Sequence, residues 1–565
     1  LLAVFSLSLP GYLVAQEGDA STSAEASENA PYTATVAVNV VNVEVYVTDK
    51  EGRPVEGLTR DDFVILEDKV PVEISNFYAA KEETRVENRD RVPLRAELPG
   101  EIEQRTSPSE PEFREDQRLY LVVFVDNFNI HPFNRNRVFR RLREFLTETI
   151  QSDDRVMLVS YDRSIHIRHP FTSRPELISA ALFELESMTG HAVQRSSERQ
   201  SAMEAVLQAE EPHQAEWEVA SFADSAYNDL KFTIEALRNF VDSLAGLPGR
   251  KMLLHVSDGI EMIPGQELYH ALQNKFPNSN YISDSLNQDA TRDFQRLAAR
   301  ANEHRVSFYT IDAAGLRVSS SISAEVASAD SRIGSGTMLD SILFHNLQSS
   351  LVYLANATGG QAIINQNDVI KGLRKFRSDF RTYYSLGYQA PRPGNSRYHK
   401  IEVKLAKKMK GVRIRHREGY RDKPVSTQMT DGTMSTLQYG FQQNPLNLGI
   451  SFEPSAIDEQ GFHDVPMVIE IPIGNVVLIP REAIYRGQAQ IYFAAMDFEE
   501  RQSLVQTRPV TIEIPADEID YARTQNYHYR VILKLRPGEH RIAIGVRDEI
   551  GATKSFVSRT VNIGA

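Results

Sequence analysis

The feature that most constrains the fold of this sequence is a run of apolar residues that ends abruptly in an aspartate. The run is Leu119–Val125, and Asp126 opens a polar loop after it. After the loop, Phe133–Ile150 places its apolar residues on one helical face. A strand that is apolar on both sides, followed by an amphipathic helix, predicts a parallel sheet with helices on both faces. Ligands of such sheets bind beyond the carboxyl ends of the strands, where Asp126 lies.

Strands and helices alternate from there to about residue 421, which bounds an α/β domain at 118–421. This alternation predicts right-handed βαβ crossovers and a parallel sheet. Further strands are expected at Val156–Tyr161, Met252–Val256, Val306–Ile311, Gln361–Ile364 and Thr382–Tyr388. Further helices are expected at Pro175–Ser187, Ala226–Ala245, Gln288–His304, Leu339–Ala357 and Val369–Phe380. The polar stretch at about 190–224 is interpreted as an insertion.

Shorter units flank this domain. Alternating valines in 35–80 predict a small β module, and the charged stretch 81–117 predicts a linker. The polar stretch 422–445 is interpreted as a second linker, and seven short runs in 446–565 predict an immunoglobulin-like β-sandwich. The expected fold class is therefore multidomain. Its centre is a doubly wound, mostly parallel, Rossmann-like α/β sheet, with a β module before it and a β-sandwich after it.

The beginning of the sequence indicates export. Leu1–Ala15 is apolar, too short to span a bilayer, and typical of a secretory signal peptide cleaved after Ala15. The stretch 16–34 that follows is expected to be a flexible leader. The initiator methionine and basic region that normally precede such a segment are missing, so we expect the natural chain to start further upstream. No later stretch reaches the roughly 18 uncharged apolar residues of a membrane span. We therefore expect a secreted or periplasmic protein without a membrane span.

Several function classes are disfavoured by the residues themselves. The net charge of -13 argues against nucleic acid as a partner. No cysteine is present, which removes thiol catalysis and disulfides. No glycine occurs between Asn127 and Thr189, although a dinucleotide site needs glycines directly after its first strand. A phosphohydrolase with Asp126 as nucleophile would need a second carboxylate at position 128, where the residue is Phe128.

Carboxylates remain as the main candidates for a site. Four aspartates directly follow predicted strands: Asp126, Asp162, Asp258 and Asp312. Several carboxylates at one sheet edge could hold a hard cation such as Mg²⁺. Alternatively, each aspartate caps the turn or helix that follows its strand. For Asp126 with Asp258 the sequence leaves both interpretations open.

These residues resemble the von Willebrand factor type A (VWA) domain. In that family a first strand ends in D-x-S-x-S, a second loop supplies a threonine and a third strand ends in Asp-Gly. Together they form a metal-ion-dependent adhesion site, whose metal is completed by a carboxylate of a partner protein. Asp126 matches the first position, Asp258 and Gly259 match the third loop, and Thr189 is the nearest candidate for the threonine.

The departures from this pattern are in the first loop. Phe128 stands where the family has its first serine, and Ile130 where it has its second. The resemblance therefore implies a degenerate site, with no cofactor expected and Mg²⁺ or another divalent cation as the alternative. The surrounding surface would serve as an interaction face, comprising Asn127, Phe128, Asn129, His131 and Gly259. The sequence leaves open whether Phe128 and Phe133 form an exposed apolar edge or fold inward.

A wider resemblance covers about residues 36–421. The segments DKEGRPVEGLTRDDFVILED, FYTIDAAGL, ATGGQAI, TYYSLGY and VRIRHREGY occur in the order found in VWFA-related proteins of Acidobacteria. That family is expected to be secreted, and the resemblance does not extend to the C-terminal sandwich.

Two functions of different classes follow. The first is an exported, non-enzymatic protein–protein interaction protein of adhesion or scaffold type, with a partner in the cell envelope or outside the cell. The alternative is an envelope hydrolase or glycan-binding protein with its site in the insertion or the sandwich. Carboxylate pairs are what glycosidases use, and the insertion contains Glu204, Glu210, Glu211, Glu216 and Glu218. A third hypothesis is that the protein is a purely structural component of the cell envelope.

Overall fold

The computed structural model describes residues 40–81, 118–317, 336–391 and 393–564. The expected signal peptide 1–15, the leader 16–34 and nearly all of the linker 81–117 lie outside these residues. The strands are β1 Val40–Thr48, β2 Phe63–Glu67, β3 Val70–Val72, β4 Ile74–Ala80, β5 Leu119–Asp126, β6 Arg155–Tyr161, β7 Ile165–Thr172, β8 Arg250–Ser257, β9 Val306–Asp312, β10 Ala362–Ile363, β11 Tyr383–Gln389, β12 Tyr398–Leu405, β13 Arg413–Arg415, β14 Gly419–Arg421, β15 Gly449–Phe452, β16 Ala456–Ile457, β17 His463–Pro472, β18 Ile479–Arg481, β19 Ile484–Asp497, β20 Gln506–Pro515, β21 Asn526–Leu535, β22 Gly538–Asp548 and β23 Lys554–Ile563. The helices are α1 Pro132–Thr149, α2 Pro175–Leu185, α3 Ala192–Gln208, α4 His213–Ser243, α5 Gln266–Lys275, α6 Tyr281–Ser285, α7 Thr291–Glu303, α8 Gly336–Ala357, α9 Ile370–Arg381, α10 Val425–Tyr439 and α11 Ile519–Ala522.

The central sheet has six strands in the order β10-β9-β8-β5-β6-β7. All neighbours are parallel except β7, which runs antiparallel to β6. Every residue of β5 is buried because α1, α2 and α9 pack on one face of the sheet and α4, α7 and α8 on the other. The predicted mixed α/β architecture with a mostly parallel sheet is confirmed. Asp126, Ser257 and Asp312 are the last residues of β5, β8 and β9. The carboxyl ends of these parallel strands lie side by side and form the sheet edge at which a site was expected.

Strand β7 was not predicted from the sequence. Its residues, IHIRHPFT, contain two histidines, an arginine and a proline, so they lack the apolar run of the other strands. An edge strand tolerates proline because one side of it needs no backbone donor. The antiparallel edge therefore has no signal in hydrophobic pattern alone.

The assignment of Thr382–Tyr388 to the parallel sheet is wrong. This segment forms β11, which lies antiparallel between β1 and β4. Two antiparallel sheets result, β13-β1-β11-β4 and β14-β12-β2-β3. They share one apolar cluster, with Val43, Ile65 and Leu386 completely buried. The strands of residues 40–81 thus form their sheets together with strands from the C-terminal end of the 118–421 stretch. Local sequence patterns do not encode this pairing.

Deleting the residues before 118 should therefore destabilise the remaining chain. Strand β11 would lose both neighbours, and Leu386 and Tyr388, now fully buried, would face solvent. We expect a fragment of residues 118–565 to aggregate or to melt about 10 °C or more below the 36–565 fragment, measured by circular dichroism. Equal melting temperatures for the two fragments would show that the 40–81 segment is dispensable.

The interpretation of 422–445 as a linker is also wrong, because most of this stretch forms α10. The helix packs on β19, β22 and β23, with Met429 and Leu437 fully buried. Its buried face also carries Thr433 and Thr436, whose hydroxyls donate to backbone carbonyls one turn earlier, at 2.9 and 2.8 Å. Small polar residues satisfied in this way give a helix without an apolar period, which is why the sequence looked like a linker.

The same helix joins the α/β domain to the C-terminal strands. A Cβ at Gly246 would lie 2.1 Å from the carbonyl oxygen of Asp431, so only glycine permits this approach. Lys423 Nζ donates to His304 Nδ1 at 2.7 Å and to Asp431 Oδ2 at 2.6 Å. Burial lowers the pKa of His304, which favours the neutral ring, the form whose Nδ1 can accept a hydrogen bond from Lys423. Packing and hydrogen bonds together fix α10 between the two parts of the chain.

The C-terminal strands form two antiparallel sheets around a common apolar core. All seven runs expected in 446–565 are strands, and short β16 and β18 are added to them. Their classification as immunoglobulin-like stays a prediction. Among the described residues, no helix combines the length and the apolar character that a membrane span requires.

Candidate functional site

The carboxylate of Asp126 is fully buried at the end of β5 and is held by donors from two loops. The backbone N–H of Asn129 donates to Oδ1 at 3.1 Å, and its side-chain Nδ2 lies 3.2 Å from Oδ1 and 3.0 Å from Oδ2. Ser257, at the end of β8, donates its hydroxyl to Oδ2 at 3.2 Å. The Nε2 atom of buried His255 is 3.6 Å from the same oxygen. These contacts fold the loop 127–131 back over the strand end.

Asp258 lies at the same edge, as predicted, and its backbone N–H donates to the carbonyl of Asn129 at 3.1 Å. Its Oδ2 atom accepts the backbone N–H of His131 at 2.8 Å and Nδ2 of Asn134 at 2.9 Å. Its Oδ1 atom is buried and accepts no hydrogen bond from the described residues. Burial raises the pKa of Asp258 to about 6. One carboxylate oxygen of the site is therefore left without a partner.

A third carboxylate, Asp312, ends β9 and is fully bonded. Arg317 donates Nη2 to its Oδ1 at 3.0 Å, and Gln348 donates Nε2 to its Oδ2 at 2.8 Å. The same arginine nitrogen contacts the backbone carbonyl of Asp258. Arg317 therefore pairs with Asp312 and hydrogen-bonds the main chain of Asp258, while its charge also acts on the Asp258 carboxylate and, against the effect of burial, lowers the pKa of that group.

Thr189 meets the loop 127–131 through its main chain. Its carbonyl oxygen accepts a hydrogen bond from Nδ2 of Asn127 at 3.0 Å, and Thr189 as a whole is an exposed residue. Asp162, the fourth aspartate after a predicted strand, lies 3.1 Å from Nε2 of His191. The second loop is thus adjacent to the first, but the contact is made by the peptide group and not by the hydroxyl expected from the resemblance.

The expectation that Asn127, Phe128 and Gly259 form an exposed face is not met, because all three are buried. Gly259 has φ +99°, and a Cβ there would lie 2.5 Å from the carbonyl oxygen of Leu347 in α8. His131 is exposed and Asn129 is half-buried. Of the five residues expected in the interaction face, only His131 and Asn129 have substantial solvent exposure, while Phe128 and Gly259 contribute buried atoms to the lining of a cavity.

Phe128 points inward, which settles the alternative left open by the sequence. Its ring packs against Tyr161 at 6.2 Å between centroids. The guanidinium carbons of Arg195 and Arg163 lie 4.9 and 5.3 Å from the ring centroid. Phe133, by contrast, is 70% exposed. At the first serine position of the family motif, this protein therefore has a buried aromatic ring, and the packing of that ring holds the loop 127–131 in place.

The insertion forms a helical hairpin of α3 and the first half of α4, which shares an apolar cluster with α5, α6 and α8. Two arginines one turn apart on α3 hold it over the sheet edge. Arg195 donates to Asp229 Oδ2 at 2.8 Å and lies 3.3 Å from Asn129 Oδ1. Arg199 pairs with Glu261 and with Glu267, the latter at 2.9 Å. These arginines were not recognised as site residues in the sequence, because their spacing is also that of an ordinary solvated helix face.

A cavity of about 290 Å³ lies between α3, the loop 127–131 and the loop that begins at Asp258. Its walls include apolar groups from Phe128, Leu343 and Leu347. Its polar lining comes from these residues: Asn129, His131, Arg195, Ser196, Arg199, Gln200, Asp258, Glu261 and Arg317. The sheet edge expected to carry the site is therefore a recess covered by the insertion.

A second polar cluster, absent from the sequence predictions, joins β2 to β12. His399 Nδ1 lies 2.8 Å from Asp68 Oδ2 and 3.6 Å from Glu67 Oε1. Tyr420 donates its hydroxyl to Glu67 Oε2 at 2.9 Å. These hydrogen bonds connect residues more than 300 positions apart in the chain. The role of the cluster is therefore explained by its stabilisation of the contact between β2 and β12.

Comparisons with known proteins give weak matches only. No family model and no curated protein matches the sequence. Among solved structures, an aerotolerance-related membrane protein from Bacteroides fragilis is 11% identical, with 46% of this chain and 98% of that chain covered and a TM-score of 0.23. The manganese-loaded TRAP protein of Plasmodium vivax is 10% identical, with coverages of 54% and 94% and a TM-score of 0.21. The PilB minor pilin of Streptococcus sanguinis is 12% identical, with coverages of 48% and 62% and a TM-score of 0.23. At these scores the matches establish neither family nor function.

The geometry of the loop 127–131 should depend on the buried Arg135 of α1. Its guanidinium donates to Asn127 Oδ1 and to the carbonyls of Glu186 and Met188, at 3.0 and 2.9 Å for the two carbonyls. Arg135→Met leaves these acceptors buried without donors, so the free energy of unfolding should fall by about 3 kcal/mol, measured by urea denaturation. Arg140→Met, at an exposed position of the same helix, is the control and should change it by less than about 0.5 kcal/mol. Equal effects of the two substitutions on the free energy of unfolding would show that the hydrogen bonds of Arg135 do not stabilise the loop 127–131.

Proposed function

We propose that this chain is an exported, non-enzymatic interaction protein whose VWA-like α/β domain docks a partner protein at the cavity under α3. The observation that carries the proposal is the cavity itself. It lies at the carboxyl edge of a parallel sheet, the usual position for ligands of this architecture, and it opens between two sequence-distant loops and the insertion. Its chemistry is that of a contact site with polar and apolar walls.

The bonding of the polar groups argues against catalysis in this cavity. Ser196 donates its hydroxyl to the carbonyl of Ala192 at 2.9 Å, so its proton is directed at the main chain and not at a general base. Glu261 is paired with Arg199 and also accepts the N–H of Gly265 at 2.9 Å. That leaves Asp258 without a second free carboxylate to complete an acid–base pair. A binding role uses these groups better than a hydrolytic one.

The alternative of a hydrolase in the insertion finds less support. All five glutamates considered there are exposed on α3, α4 or the turn between them. Glu216 accepts the hydroxyl of Tyr281, and none of the five lines the cavity at the sheet edge. Acidic residues in such positions are typical of a solvated surface.

The donor set at the sheet edge does not fit a divalent cation. Mg²⁺ needs about six oxygen ligands around it. Both oxygens of Asp126 already face the amide of Asn129, and Oδ2 also faces Ser257. Phe128 and Ile130 are buried apolar residues at the two serine positions of the family motif. We therefore propose that docking at this edge needs no metal.

Export is proposed from Leu1–Ala15 alone, whose apolar character is that of a signal peptide. The partner is accordingly proposed to lie in the cell envelope or outside the cell.

Blocking the cavity should abolish partner capture. Ser196 and Ser197 are adjacent exposed residues of α3, and only Ser196 lines the cavity. We expect Ser196→Trp to reduce capture of specific partners from envelope extract at least tenfold, while Ser197→Trp captures as the unchanged protein does. The readout is quantitative mass spectrometry of captured proteins. Capture that Ser196→Trp leaves unchanged would reject this cavity as the docking site.

A further inference from the structure

The charges lining the cavity are not evenly matched. Arg195 is paired with Asp229 at 2.8 Å, and Arg317 with Asp312 at 3.0 Å. A third guanidinium, that of Arg199, lies between two carboxylates. Each cation that lines the cavity therefore already has at least one acidic partner.

The unmatched group is a carboxylate. Asp258 lines the cavity, and its Oδ1 atom accepts no hydrogen bond within the described parts of the chain. The guanidinium of Arg317 donates to the backbone carbonyl of Asp258 and to the carboxylate of Asp312. A buried carboxylate oxygen without a donor is costly, and a ligand that supplies a donor with positive charge removes this cost.

The size and walls of the cavity narrow the ligand further. Its volume of about 290 Å³ is just below the roughly 300–1,000 Å³ typical of small-molecule sites, so it suits one side chain. Phe128, Leu343 and Leu347 give it an apolar wall beside the carboxylate. Lysine and arginine side chains combine an aliphatic stem with a charged head, which matches this arrangement.

We propose that the cavity receives a lysine or arginine side chain of the partner protein, whose cationic head donates to Oδ1 of Asp258 while its stem packs on Phe128 and Leu347. The inference rests on the proposed docking function and adds the chemistry of the partner. It reverses the polarity implied by the VWA resemblance, in which a bound metal receives a carboxylate from the partner. In this arrangement the partner supplies the positive charge, and Oδ1 of Asp258 accepts its hydrogen bond.

The test uses the full chain and small probes followed by saturation-transfer-difference NMR. The probes are the Nα-acetyl amides of lysine, arginine, glutamate and Nε-acetyl-lysine. We expect the lysine and arginine amides to bind and the other two to bind at least tenfold more weakly, because they lack the positive charge. Preferential binding of the glutamate amide, or equal binding of Nε-acetyl-lysine, would overturn the proposal.

A matched pair of variants assigns the binding to Asp258. Asp258→Asn keeps an acceptor for His131 and Asn134 but replaces the free oxygen by an N–H donor. It should weaken lysine-amide binding at least tenfold at an unchanged melting temperature, whereas Asp153→Asn, at an exposed position, should not weaken it. Unchanged binding by Asp258→Asn, or no binding of either cationic probe to the unchanged protein, would refute this inference. Partner capture that is sensitive to Ser196→Trp would in that case still support the docking function, so the two failures are distinguishable.

Discussion

The burial of the Asp126 carboxylate is the constraint on which the candidate site depends. An ionised carboxylate can stay inside a protein only when donors or cations surround it. Here the donors are the main chain and side chain of Asn129 and the hydroxyl of Ser257. They close the loop 127–131 over the strand end, and that closure places the carbonyl of Asn129 against the N–H of Asp258. Two loops more than 100 residues apart are thereby held at one edge.

The same closure explains the position of the insertion. Because the loop turns Phe128 inward, its ring offers a face on which the guanidinium of Arg195 rests, 4.9 Å from the centroid. Arg199, one turn later, reaches two glutamates that follow the Asp258 loop. Burial raises the pKa of Glu267, and the neighbouring carboxylate of Glu261 raises it further, against the opposing effect of Arg199. The helix α3 therefore covers the edge without sealing it, and the cavity is the space that remains.

Much of the fold followed from local pattern. Five strands of the parallel sheet and all seven C-terminal runs were predicted, because burial on both faces, or on alternate sides, leaves a clear periodicity. Strand β11 was placed in the wrong sheet, since TYYSLGY is apolar enough for a buried parallel strand and its partners lie more than 300 residues away. Helix α10 was missed because its buried face combines only two large apolar residues, Met429 and Leu437, with threonine, serine and glycine.

The site was predicted in part. Asp126 and Asp258 were placed at one edge because the ends of parallel strands coincide there. The inward turn of Phe128 could not be read from the sequence, because an aromatic residue in a polar loop can face either way. Nor could the arginines of α3, whose partners come from three separate segments. These contacts depend on the tertiary fold, which carries no signal in residue spacing.

The acidic edge is held by the protein's own hydrogen-bond donors and not by a divalent cation. Isothermal titration calorimetry of Mg²⁺, Mn²⁺ and Ca²⁺ into the full chain and into Asp126→Asn is the test. We expect the same heats for both proteins, with any binding at the Glu67, Asp68 and His399 cluster common to the two. A saturable heat that is present in the full chain and lost in Asp126→Asn would contradict it.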